Sequence, residues 1–298
     1  MDRSQFTEVR LQDSLVKERV FEARARLVSK CKACNGSGFA SGNGTGSIRR
    51  QIYCRCMKQF LIEKNLIICG VPLEALELAA KIRSGKGLVD VDYKRVILDI
   101  DEHNIREINR RKSPFQLYKD LLMPYVKNAG EAISRGDSIL LFGSNSRGKT
   151  WSLYYLALML MDNFSVMFMP LKELFIHINN AYYGADNSRE AAASKQQAQS
   201  MLSLIRDVDL LLLDEGSKLP KFSDSVSVQL EGIAKERIGN NKVVVLASNH
   251  APLDFHRNFG PQVVSAFIKD VYALHILTGP DLRHKAMLKS EAFSYVGR

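Results

Sequence analysis

Long apolar runs are missing from this chain. None approaches the roughly 20 residues a membrane-spanning helix needs, so no membrane role is expected. No secretory leader is expected either, since the opening MDRSQFTEVRLQDS is polar and mixed in charge. A cytoplasmic address is therefore expected, and disulfides rarely persist there. Acid is scarce at one end. Residues 1–64 carry 6 Asp/Glu against 13 Lys/Arg, a balance of +7 within a formal charge of +10 for all 298 residues. That asymmetry points to an anionic partner, nucleic acid first, or else to a plain solvated surface. Cysteine is scarce too, yet four of the five lie within residues 31–56.

What is present divides the chain into three. Residues 14–30 place Val16, Val20, Ala23 and Leu27 at helical spacing, with Asp13 or Ser14 as the cap. Together with the cysteine segment they make an N-terminal module over 1–64. Residues 65–135 read as a mostly helical, charged linker that opens the next region, with a turn at Gly70 to Pro72. From 136 to 298 short apolar strands alternate with helices. The strands are expected at 138–143, 165–170, 209–214, 243–248 and 273–279. Strands apolar on both faces and separated by helices predict a parallel α/β sheet covered on both sides. The polar, small-residue stretch 182–197 reads as a surface loop.

Residues 143–150, GSNSRGKT, match G-x-x-x-x-G-K-[ST] between an apolar strand and a helix-like stretch. Gly143 and Gly148 allow the backbone to curl so that successive N–H groups meet phosphate oxygens, and the helix N-terminus adds its positive dipole end. Lys149 is suited to the β- and γ-phosphates, and Thr150 to Mg²⁺. Ser144, Asn145, Ser146, Arg147 and Trp151 complete the candidate ATP contacts. Strand 209–214 ends in Asp214-Glu215, an acid for the Mg²⁺ shell beside one that orients or activates water. Asn249 ends the next strand, where it serves either the γ-phosphate or a turn. Together these motifs define an NTPase site along the carboxyl ends of the strands.

Cys31-x₂-Cys34 and Cys54-x-Cys56 offer four thiolates, the donor set of a closed tetrahedral Zn²⁺ site. Asn35-Gly36-Ser37-Gly38 frees backbone N–H groups to turn toward sulfur. Disulfides do not suit the compartment, and the βαβ context of C-x-x-C redox chemistry is missing. A segment so poor in apolar residues needs the metal to fold, so the zinc is structural and the module's task is recognition. Arg49 and Arg50, beside Ile48, Ile52 and Tyr53, suit single-stranded DNA or a protein partner, or else the knuckle only braces its helix. Cys69, in LIICGV, reads as a small core residue.

The order GSNSRGKT, LLLLDEG, LASNH and TGPDLR resembles the AAA+ ATPases of the DnaC/DnaI type, the loaders of the replicative hexameric helicase, over residues 66–298. CGVP at 69–72 is similar to their Gly-Ile-Pro element, and a cysteine-rich module ahead of the core is similar to the DnaI arrangement. The resemblance implies an AAA+ core with five strands in the order 5-1-4-3-2. It also implies ATP bound between subunits that self-associate, a DnaB-type helicase and single-stranded DNA as partners, and no large lid domain. By the same resemblance Lys149 and Thr150 are the Walker A contacts, Asp214 and Glu215 the Walker B pair, Asn249 the first sensor and Arg283 the second. The N-terminal module would grip the helicase and the core channel would hold DNA. One departure stands out: Ser265-Ala266-Phe267 occupies the place of the family's Ser-Arg-hydrophobic triplet. Lys269, Arg257 and Arg237 are candidate replacements, and otherwise hydrolysis is slow or partner-dependent, since such an arginine contributes about 10³–10⁵ in rate. Two other functions share the motifs: an accessory ATPase of a transposase that binds duplex DNA, and a non-hydrolysing adapter.

Overall fold

A computed structural model describes residues 14–40, 52–72, 93–95, 110–112, 121–143, 145, 148–184, 188–214, 224–249 and 271–277. The chain forms two compact units, Met1–Leu78 and Ala79–Arg298.

In the first unit, helix α1 (Ser14–Arg24) runs into a π-helical turn (Ala25–Ser29). A two-stranded antiparallel ribbon follows, β1 (Phe39–Ala40) with β2 (Ile52–Tyr53), and then α2 (Arg55–Ile68). The apolar face predicted for the first helix is the one that packs. Ala23 and Val28 are buried with Phe60 and Ile67 of α2, and Val16, Val20 and Leu27 lie against them. Arg26 pairs with Glu63, whose side chain is fully buried. Helix α2 continues past residue 64 and ends at Gly70, where Gly70 N–H donates to Ile67 O and Val71 N–H to Leu66 O. Gly70 has φ 87°, which closes the helix in the left-handed conformation that glycine adopts readily. Cys69 is buried there, as a core residue should be.

The second unit is built on a seven-stranded sheet. Its strands are β3 (Tyr93–Arg95), β4 (Arg110–Lys112), β5 (Ser138–Gly143), β6 (Val166–Pro170), β7 (Leu210–Asp214), β8 (Val243–Ser248) and β9 (Val271–Leu277), in spatial order β4-β3-β9-β5-β8-β7-β6. The five strands from β9 to β6 are parallel. Counted along the chain from β5, their order is 5-1-4-3-2, the arrangement of the AAA+ P-loop core. The expected five-stranded sheet is thus present and extended by two. Strands β3 and β4 pair antiparallel with each other, and β3 pairs antiparallel with β9, inside a region whose sequence reads as helical. Five of their six residues are Lys or Arg, a composition with no apolar alternation to announce a strand.

Short helices α3 (Met123–Lys127) and α4 (Ala129–Ser134) lead into β5. Helix α5 (Lys149–Leu160) follows β5, and its buried residues lie nearly all round, among them Leu153, Tyr155, Leu156, Leu158 and Leu160. That is the pattern of a helix enclosed by its surroundings. Helices α6 (Leu171–Tyr183) and α7 (Arg189–Asp207) lie between β6 and β7 in the chain, and α8 (Asp224–Gly239) between β7 and β8. The loop expected over 182–197 is therefore much shorter. Helix α6 reaches Tyr183, and α7 starts at Arg189 with Ser188 as its cap, the Ser188 hydroxyl accepting from Ala191 N–H at 3.1 Å. Polar, small composition misled here because Ala, Gln, Lys and Glu are also good formers of an exposed helix.

The sheet's start is fastened by polar groups. Asp209, just before β7, accepts from Ser165 N–H at 3.0 Å and Ser165 Oγ at 2.8 Å, and its other oxygen meets Lys242 Nζ at 2.9 Å. Burial raises the Asp209 pKa, but the Ser165 N–H, Lys242 and the Ser165 hydroxyl outweigh it and hold the carboxyl below its ordinary range.

Candidate functional site

The first site lies at the end of β5. Gly143 and Gly148 take φ values of 139° and 87°, so the backbone turns where a Cβ would be strained. Helix α5 begins at Lys149, immediately after the turn. Lys149 is buried, and its ammonium donates to Gly143 O at 2.7 Å, spanning the loop it belongs to. Ser152 Oγ donates to Gly148 O at 3.2 Å. Strands β5 and β7 lie either side of β8, so their carboxyl ends come to the same edge of the sheet. As a result Thr150 Oγ1 donates to Asp214 Oδ2 at 3.0 Å, although 64 residues separate the two. A hydroxyl whose proton is committed to a carboxylate keeps its lone pairs for a cation. The pair therefore has the donor chemistry for Mg²⁺ beside a phosphate loop.

Asn249 follows β8 directly, at that same edge. Asn145 is exposed, and Trp151 lies half-buried in the first turn of α5. Ser144, Ser146, Arg147, Glu215 and Arg283 lie outside the described residues, as do Ser265, Ala266, Phe267, Lys269 and Arg257.

Arg237, one of the three candidate replacements, is described. It sits in α8 with no exposed surface. Its Nη1 donates to Ile205 O at 2.5 Å, Val208 O at 3.0 Å and Arg206 O at 3.3 Å, and its Nη2 to Val243 O at 2.6 Å. The guanidinium thus caps the carboxyl end of α7 and ties it to the first residue of β8. A cation is favoured there by the helix dipole and by the helix's otherwise unmatched carbonyls. Burial pulls its pKa down to about 9, against the pull of Asp209 and Asp207 in the other direction. Sequence alone ranked Arg237 by its charge and could not register its depth.

The second site gathers Cys31, Cys34, Cys54 and Cys56, whose sulfurs all lie within 4.8 Å of one another. Cys31 and Cys54 sulfurs are 3.9 Å apart, and those of Cys34 and Cys56 are 3.4 Å apart. A tetrahedral site with Zn–S bonds of about 2.3 Å spaces its sulfurs by about 3.8 Å, so the cluster has zinc-site dimensions. None of the four is in a disulfide. Gly38 N–H donates to Cys34 Sγ at 3.3 Å, the turn toward sulfur that the glycines were expected to allow. Burial raises both the Cys34 and Cys56 thiols. At Cys34 the Gly38 N–H and the neighbouring sulfurs reverse the shift, down to about 6, whereas at Cys56 the neighbouring sulfurs add to it, up to about 12. The unequal titration reflects four thiols crowded into one shell, and a cation at its centre would favour the thiolate of each.

Sequence reasoning overlooked one partner in this region. Phe39 lies directly opposite Tyr53 across the β1–β2 ribbon, and the two rings stack with centroids 5.5 Å apart. The signal was available: each aromatic adjoins a knuckle, one after Gly38 and one before Cys54.

Among the described residues no helix is long and apolar enough to cross a membrane. No family model and no curated protein matches the sequence. Solved structures do. The chain is similar to the DnaC helicase loader at 19% identity and a TM-score of 0.44, over 55% of this chain and 90% of that one. It is similar to DnaI at 18% identity and a TM-score of 0.40, over 53% and 82%. It is similar to AMPPCP-bound DnaA from Aquifex aeolicus at 18% identity and a TM-score of 0.43, over 58% and 50%. The chain spans about half the length of the first three structures it matches. At these identities and TM-scores it is the order of this chain's own strands that establishes the fold.

Proposed function

We propose that this protein is an ATP-dependent loader of a replicative hexameric helicase, acting on single-stranded DNA at the start of DNA replication. The observation that carries the nucleotide half of the reading is the Thr150–Asp214 hydrogen bond. It joins the phosphate loop to the acid of β7 at the carboxyl edge of a 5-1-4-3-2 sheet. In this reading residues 143–150 hold the ATP phosphates, with Trp151 just behind them. Thr150 and Asp214 hold Mg²⁺, which neutralises phosphate charge when bound. Glu215 positions the attacking water, and Asn249 and Arg283 sense the γ-phosphate. The loader half rests on the order and spacing of the motifs and on the cysteine module ahead of them. Zn²⁺ in the four-thiolate shell keeps that module folded for recognition, and self-association through the ATP site completes each nucleotide pocket.

A slow or partner-dependent ATPase is favoured by one finding. The triplet at 265–267 carries no arginine, and Arg237 is committed to backbone carbonyls. A non-hydrolysing adapter stands as the second reading on the same ground. Capture of the cognate hexameric helicase, with and without ATP, tests both. Loading that needs ATP and fails in Lys149→Ala supports the loader, whereas undiminished loading by that variant supports the adapter. Brisk ATP turnover by the purified protein, indifferent to helicase and DNA, would sink the slow-hydrolysis reading.

A further inference from the structure

The β1–β2 ribbon presents an apolar face to solvent next to the four-cysteine shell. Phe39 and Tyr53, paired across it, are 36% and 49% exposed, whereas Ile52 pairs with Ala40 on the ribbon's opposite face. The Phe39 and Tyr53 rings are stacked with 29° between their planes, so they form one platform rather than two separate side chains. The sequence on either side of this platform carries charge of one sign. Residues 23–62 contain eight Lys or Arg and no Asp or Glu. Four of the eight, Lys30, Lys32, Arg55 and Lys58, are exposed and flank the two knuckles. Arg55 follows Cys54 directly, and Tyr53 precedes it.

From these observations we infer that the ribbon is a binding site for single-stranded nucleic acid, with unpaired bases stacking on Phe39 and Tyr53 and phosphates meeting the flanking cations. A single strand fits because every base offers a π-face to an aromatic platform, and a polyanion suits a forty-residue stretch without acid. Duplex fits poorly, because its bases are already stacked on one another. An acidic protein surface would meet the cations but would leave the platform without a π partner. The site lies wholly in the first unit and needs no nucleotide at the phosphate loop, so its fate is separable from that of the loader reading.

The test uses the full-length, zinc-loaded chain without ATP, titrated into a fluorescent oligothymidine and, in parallel, a duplex of equal length. Phe39→Leu and Tyr53→Leu keep apolar bulk and remove the ring. Each is expected to weaken single-strand binding about 10-fold, the order of one lost base–aromatic stack, and to leave duplex binding unchanged. Arg55→Gln should weaken binding and lower the slope of log K against log salt by about one, as for one lost phosphate contact. Zinc content is measured for every variant. Should a leucine variant lose metal, Lys32→Gln with Arg55→Gln, both on exposed side chains, takes over the test through the salt slope. Unchanged single-strand affinity and salt slope across these variants overturns the inference. So does loss of helicase capture with DNA affinity intact, which would make the ribbon a protein-docking face.

Discussion

From Ile139 to Phe142 four consecutive side chains are at most 1% exposed. From Cys31 to Tyr53, by contrast, Gly38 is the one buried residue among those described. The sheet of the second unit is held by what it removes from water. Each buried Leu, Ile or Val of β5, β7 and β8 contributes about 1.5–3 kcal/mol relative to exposure. The knuckle region has almost nothing to remove, and in the proposed reading a zinc held by its four sulfurs takes the place of a core. One chain thus uses two sources of stability, and each responds to a different insult.

The sharpest way to separate them is to strip the proposed zinc from the four-thiolate shell. Structural zinc sites bind with roughly 10–16 kcal/mol, so a unit folded around one should lose much of its stability with the metal. A strong chelator, or Cys54→Ser, should open residues 14–72 to protease and hydrogen exchange while 121–249 stays protected. Loss of protection in both regions together would mean that the two units do not fold independently.

The next largest effect belongs to the second unit. Arg237→Ala strips four carbonyls of their donor and leaves a cavity, so it should cost about 3–5 kcal/mol and lower the Tm of the core. ATP binding by the protein that remains folded should be unchanged. A residue acting as a finger would behave the other way, with kcat falling and Tm unmoved.

Acid distinguishes the regions by sign. Asp209 has a folded pKa below its ordinary value. Its contribution is present above the unfolded carboxylate pKa of about 4 and is lost as pH falls through the folded value. Asp209→Asn should cost about 1–3 kcal/mol at neutral pH and flatten the acid limb of stability against pH. Glu63 is shifted the opposite way: burial raises its pKa, and the charge and hydrogen bond of Arg26 only partly offset this. Its contribution is greatest below the unfolded pKa and is lost as pH rises through the folded one. Glu63→Gln should therefore change stability by less than about 1 kcal/mol at neutral pH, because the half-exposed Arg26 left behind is solvated by water. It should also abolish that unit's gain on mild acidification. Urea melts of both variants at pH 4 and pH 7 check the two signs together.

The five parallel strands of the second unit were legible to within about two residues because each is a short apolar run, a pattern that burial on both faces imposes. The glycine turn ahead of α5 was legible because its motif sets the glycines at fixed spacing, and the gathering of the four cysteines for the same reason. The pairing of Thr150 with Asp214 was not, since it depends on β5 and β7 reaching one edge of the sheet. Strands β3 and β4 were hidden by their charge. Arg237 was hidden by its depth, because a charged residue on a helix is exposed far more often than it is enclosed. The stretch 182–197 was misread because a solvated helix and a polar loop draw on the same residues.

Strand β4 has a consequence for how this protein behaves in a crowded cell. Among the described residues it forms one margin of the sheet, a position that invites a further strand from another molecule. Any strand that added there would run alongside Arg110, Arg111 and Lys112, with Lys94 and Arg95 one strand further in. A second copy of the same edge would bring like charges opposite like, which destabilises such pairing. An edge strand of this composition works against growth of one molecule into the next through the sheet.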